Sequence, residues 1–215
     1  MTVAAAGAQE PTGRRPYRSR LREQRAAATK RAIVSAAEEL FAANGWAATG
    51  MREVAAAAGV ATETVYSHFT SKGGLLRAVA DAAVVGDDAP VALAERPEFA
   101  AMGKGSRAAR VRAAAALTTA VNSRTAAIAM VLRQAASGDE EIAEMLSAAR
   151  ERQRDDVAAG MEMLMGRAPT SSERDGVWAI VSQEVYLLLV DETGWPPEQY
   201  EAWVAETLER VVPRS

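Results

Sequence analysis

Gly59 and Val60 divide two short runs, Met51–Ala58 and Thr62–His68, each with apolar residues at helical spacing. Neither run is long enough to hold a helix alone in water, because nucleating a helix costs more than two turns return. Met51, Val54, Ala55 and Ala58 form one inner face, and Val65 and Phe69 point inward from the other. The glycine permits a tight turn, and Val60 plugs the junction. Two helices this short persist only when a third element covers their shared apolar side. The chain is therefore constrained to a helix–turn–helix between Gly50 and Phe69, with a covering helix beside it.

That helix is expected at Arg25–Asn44, where Ile33, Ala36, Ala37, Leu40 and Phe41 recur on one face and Asn44-Gly45 supplies the stop. Thr49 or Gly50 caps the second helix, and Ser71 caps a fourth that runs through Leu75, Leu76, Val79 and Ala83. Hydrophobic residues make up 49% of the 215, with 5% aromatic and abundant alanine. That composition can fill a core and favours helix throughout, so the predicted fold class is all-α: a three-helix head and a helical body, about nine helices in all.

The net charge of −3 conceals an uneven distribution. Residues 1–80 carry 11 Lys/Arg against 6 Asp/Glu, and residues 81–215 carry 14 against 22. A basic front on an acidic body points to a polyanion met by one end. Residues 1–22 lack apolar periodicity and are expected to be a disordered basic arm. Its arginines (Arg14, Arg15, Arg18, Arg20 and Arg22) could track phosphates or a minor groove, or serve only as a solubilising tail. The absence of cysteine excludes disulfides, a cysteine nucleophile and thiolate metal sites, and it fits a cytoplasmic protein. No cofactor, secretory signal or membrane partner is expected.

The exposed face of the third helix carries the chemistry. Ala61, Thr62 and Thr64 are small or hydroxylic and suit a thymine methyl or a base edge. Tyr66 and His68 are hydrogen-bonding residues beside the groove walls. Lys72, at the start of the fourth helix, and Thr49, at the start of the second, sit where charge and free N–H groups favour phosphate. His68 is the only histidine, and without Cys, Asp or Glu at ligand spacing it is weak grounds for a catalytic base or a metal ligand.

Residues 29–79 resemble the N-terminal domain of the tetracycline-repressor (TetR) family of bacterial regulators. The matching text is Ile33-x6-Leu40-Phe41-x3-Gly45, Thr49-x4-Val54-Ala55-x3-Gly59-Val60, and Thr64-Val65-Tyr66-x-His68-Phe69-x2-Lys72-x2-Leu75-Leu76. The resemblance implies a DNA-binding head, a ligand-binding helical body and a homodimer on a palindromic operator. It also implies phosphate contacts from Tyr66, His68 and Lys72, and base reading near Thr62 and Thr64. Gly50 departs from the family, which often has a second hydroxyl there, and so does Gly73-Gly74, where acidic residues are common.

On this reading, residues 23–85 form the DNA-binding domain, 86–105 a linker or irregular connection, and 106–215 a ligand-binding and dimerisation domain. Helices are expected at 106–122, 125–137 and 139–165, then one from about residue 171 to Gly194 and a last one from Pro196-Pro197. Met130, Met145, Met161, Met165 and Trp178 are candidates to line a pocket for a small apolar or amphipathic effector, with Arg133, Gln134 and Gln183 as polar anchors. The last two helices also resemble the dimerising pair of the family, through Trp178, Val181, Val185, Leu188, Leu189, Trp203, Val204 and Leu208. The expected function is a repressor released from its operator by a ligand. The alternatives are an activator or a ligand-independent regulator and, from another class, a helical enzyme. Against the enzyme stand the lone histidine and the lack of any phosphate loop or paired-carboxylate motif.

Overall fold

The computed structural model describes residues 15–86 and 93–213, and among them every regular element is helical. Helix α1 spans Arg15–Ala48, with Gly45 at φ 74° and ψ −177° kinking its last turn. It begins ten residues before the expected start and takes in residues 15–22 of the expected disordered arm. The reason is that a solvent-exposed helix needs no apolar stripe: Leu21 through Ala28 are all exposed, and Leu, Arg, Glu, Gln and Ala are good helix formers. Residues 1–14, with Arg14, lie outside the described residues.

Helices α2 (Met51–Ala57) and α3 (Thr62–His68) form the helix–turn–helix. The turn between them is a Schellman motif: Val60 N–H donates to Ala55 C=O (3.0 Å) and Gly59 N–H to Ala56 C=O (3.2 Å). Gly59, at φ +67°, takes the left-handed position this motif requires. Helix α4 (Lys72–Val85) starts at Ser71, whose hydroxyl accepts from Gly74 N–H at 3.0 Å. Its first turn forms despite the two glycines.

The stretch expected to be a linker is only partly irregular. Residues 87–92 lie outside the description. Leu93–Glu95 make a 3-10 turn and α5 covers Pro97–Ala101. Phe99 and Met102 are buried in the core of the body, so this segment packs instead of merely connecting.

The expected break at Asn122 is absent, and α6 runs unbroken from Arg107 to Ala136. Asn122 is an interior cross-link: buried, it donates to Val181 C=O (3.0 Å) and to the Tyr200 hydroxyl (3.1 Å). By length and composition α6 could cross a membrane, which the sequence reading did not anticipate. Its place in the fold accounts for its apolarity, because α1, α4, α5, α7 (Glu140–Met165), α9 (Gln183–Tyr186) and α10 (Pro197–Val211) all pack against it.

Helix α8 (Ser171–Ile180) opens with a capping box between Thr170 and Glu173. It then stops, where one continuous helix was expected. Ser182 caps a new helix, α9 (Gln183–Tyr186), which passes into a π-helical stretch, Leu187–Glu192. Helix α10 covers Pro197–Val211.

Two apolar cores result. One joins Ile33, Phe41, Val54, Val65, Leu75 and Val79 of the head to Ile128, Val131 and Leu132 of α6 and Ile142 and Met145 of α7. The other gathers Phe99, Met161, Leu164, Val177, Tyr186, Tyr200, Val204 and Leu208. The head thus shares its interior with the far half of α6.

Candidate nucleic-acid interface and ligand cavity

Val65 is wholly buried and pins α3 to the head, leaving Tyr66 on the outside at 52% exposure. Ala61 is the N-cap of α3 and is exposed, while Thr62, Thr64 and His68 are half-buried. The hydroxyl of the neighbouring Ser67 turns back to Thr64 C=O at 2.8 Å. The small and hydroxylic residues chosen from sequence therefore share one short helix with an accessible face.

Two of the expected phosphate contacts are otherwise engaged. Thr49 is buried, and its hydroxyl donates to Leu40 C=O (3.1 Å) and Gly45 C=O (2.9 Å), tying the end of α1. It faces inward and does not cap α2; Gly50 takes the cap position without a side-chain bond. A Cβ on Gly50 would meet the Glu53 carboxylate at 2.3 Å, so the carboxylate already lies over this helix start. Lys72 is the second. Its ammonium donates to Trp46 C=O and lies 4.1 Å from the centroid of the Trp46 ring, itself stacked on Phe41. Burial lowers the Lys72 pKa, and Glu53 opposes that shift. Arg52, exposed in the first turn of α2, is a cation the sequence reading passed over.

Two of the cavities in the body adjoin each other. One, of about 130 Å³, is partly open and walled mainly by α5, α6, α7 and α8, with Phe99, Leu117, Met161, Leu164 and Trp178 in its lining. The other, of about 470 Å³, opens against α4 through Ala80, Asp81, Ala83 and Val84, with Arg133, Arg150, Gln183 and Glu184 on its far side. Leu93, Gln153 and Asp156 line both.

Of the candidate pocket residues, Met161 and Trp178 line the first cavity and Arg133 and Gln183 the second. Arg133 pairs with Glu184, which also receives Arg150 at 3.3 Å. Gln183 donates to the Thr125 hydroxyl at 3.2 Å. Met130 and Gln134 are instead exposed on α6, Met145 is buried in the core shared with the head, and Met165 is buried in the second core. Sequence reading missed Asn122, Gln153 and Asp156, polar residues on helices whose inward phase no local pattern reveals.

Among the proposed dimer residues, Val204 and Leu208 are sealed inside the chain's own core and cannot meet a second subunit. They fall on the inner stripe of α10, with Tyr200. Leu188 is half exposed, while Val181, Val185, Leu189 and Trp203 are partly covered. Trp178 lines the first cavity beneath the Arg154 guanidinium, 4.8 Å away.

At the α4–α6 joint, Arg124 Nε donates to Ala83 C=O (3.2 Å) and its terminal nitrogen reaches Val84 C=O (3.4 Å), capping α4 at Gly86. Among the described residues, no group of His, Asp and Glu is placed to hold a metal ion.

Residues 33–79 match the family model for bacterial regulatory proteins of the tetR family. The whole fold is similar to that of a transcriptional regulator from Rhodococcus sp. RHA1, with 18% identity and a TM-score of 0.62 over 85% of this chain and 95% of that one. It is also similar to NalD of Pseudomonas aeruginosa, the secondary repressor of the MexAB-OprM multidrug efflux pump (24% identity, TM-score 0.58, 88% and 98% covered). A putative transcriptional regulator from Saccharomonospora viridis in complex with choline is a third (16%, 0.65, 86% and 97%). At such identities the structural likeness establishes a shared fold. None of the curated proteins matches the sequence. Residues 33–79 therefore carry the sequence match to the tetR-family model, and the chain as a whole shares its fold with transcriptional regulators of known structure.

Proposed function

We propose that this regulator is a homodimeric cytoplasmic repressor that a small ligand releases from a palindromic operator. The observation that carries the reading is that the larger cavity is walled partly by α4, the helix that leads directly out of the helix–turn–helix. A ligand there that favours one position of α4 over another shifts the heads by as much as its differential affinity allows. Arg124 fastens the far end of that helix to α6, which gives the movement a fixed point. Two heads read successive major grooves only at one separation, about one helical turn of DNA. On this reading α3 enters the groove, Thr62 and Thr64 read bases, and Tyr66, His68 and Ala61 meet the walls. Leu188, Val185, Leu189 and Trp203 are offered to a second subunit. The choline complex of one fold neighbour supports the idea that bodies of this shape take small ligands.

The test begins by selecting bound duplexes from random DNA, which yields the operator. Tyr66→Ala should then weaken binding across all sequences, and Thr64→Ala should change base preference by about 1–3 kcal/mol at one position. Sedimentation should give a dimer. Operator release by small molecules should be measured by fluorescence anisotropy. If every molecule shown to bind the body leaves operator affinity unchanged, the ligand-release reading fails.

A further inference from the structure

Asp156 stands on the partition between the two cavities and lines both. Among the described residues it is the only charged one lining the smaller cavity, whose other walls are mostly Phe99, Leu117, Val157, Met161, Leu164 and Trp178. Among the described residues no hydrogen bond or ion pair reaches its carboxylate, although the same stretch of α7 is rich in arginine. Of those arginines, Arg150 bonds Glu184, Arg154 lies on the Trp178 ring, and Arg152, exposed and lining the larger cavity, attracts Asp156 without forming an ion pair with it. Burial and the adjacent charge of Asp155 push its carboxyl above the ordinary range, and the attraction of Arg152 only partly offsets them. A carboxylate held in an apolar enclosure without a partner is stabilised by any cation that enters and is costly to leave alone.

We infer that the effector is a small organic cation, its ammonium group seated against Asp156 and its apolar part in the cavity walled by Phe99, Met161 and Trp178. The inference rests on the ligand-responsive reading above and specifies the chemistry of that site. An ammonium at the partition can hold its apolar part in the smaller cavity while its other substituents extend toward α4 through the larger one. The positive charge supplies the orientation that an apolar pocket alone cannot give.

The test compares three probes of similar size on the full-length protein by calorimetry: benzyltrimethylammonium, its neutral carbon isostere (2,2-dimethylpropyl)benzene, and phenylacetate. The cation should bind at least tenfold more tightly than the isostere. Asp156→Asn should remove that advantage without changing affinity for the hydrocarbon, and Glu151→Gln, the same charge change on an exposed part of α7, should change neither. The wild-type comparison decides the matter even if D156N folds poorly. Equal binding of cation and isostere, preference for phenylacetate, or no binding by any of the three overturns the inference. The ligand-release reading has its own outcome in the anisotropy screen, where release by an uncharged or anionic molecule would sustain it and sink the cation.

Discussion

The Lys72 ammonium lies 4.1 Å from the centroid of the Trp46 indole and donates to the carbonyl of the same residue, so the first residue of α4 grips the end of α1. A cation on a tryptophan face contributes about 0.5–2 kcal/mol, depending on how far water is excluded. Lys72→Met should therefore lower stability by an amount in that range, read by urea denaturation. It should leave the salt dependence of operator binding unchanged, because the charge is spent inside the head. A fall of about one in the slope of log K against log salt for each subunit would instead assign Lys72 to a phosphate.

Thr49 gives a companion test. Its hydroxyl donates to two carbonyls of α1, and Thr49→Val keeps the shape while removing the donor. Stability should fall by about 1 kcal/mol. Operator affinity, measured well below the melting temperature, should stay within twofold of wild type.

Asn122 holds the break between α8 and α9 from sixty residues away. Asn122→Leu leaves the Val181 carbonyl and the Tyr200 hydroxyl, whose pKa burial pushes up to about 12, without that donor. A loss of about 1–3 kcal/mol is expected for stranding buried polar groups. Faster hydrogen exchange around Val181–Tyr186 should accompany it.

The start of α8 should be acid-sensitive. The Arg167 guanidinium, aided by the Thr170 backbone N–H, lowers the Glu173 carboxyl to about 2 from 4.5. A depressed carboxyl contributes stability above its unfolded pKa and loses it as pH falls through the folded one, so the contribution should fade between about pH 4.5 and 2. An NMR titration of the Glu173 carboxyl should show the low value, and Arg167→Gln should move it back up.

The head was readable because its signals are local. Gly59 is fixed by the turn it must make, and Val54, Val65, Leu75 and Leu76 by the faces they share. What escaped depends on distant partners. The stop after Ile180 is set partly by Asn122 on another helix, and the early start of α1 has no apolar period to announce it. Met130 and Gln134 were chosen by chemical character, but in an unbroken α6 the inward stripe passes through Ile128, Val131, Leu132 and Ala135 and leaves both outside. The same limit hid Asp156, since an acid in an arginine-rich run looks like surface until the helix is docked. Val204 and Leu208 show the converse, because an apolar stripe does not say whether its own chain or a second one will cover it.

The interior that joins the head to α6 and α7 bears on how chains of this fold can be recombined. A chimera that exchanges DNA specificity by cutting after α4 would set a foreign Leu75 and Val79 against the resident Ile128, Val131, Leu132 and Ile142. The transplant must carry those four partners with it, or the new head will sit on a seam it was never shaped to fit. Respecificity confined to the outward residues of α3 leaves that seam intact and is the less disruptive route.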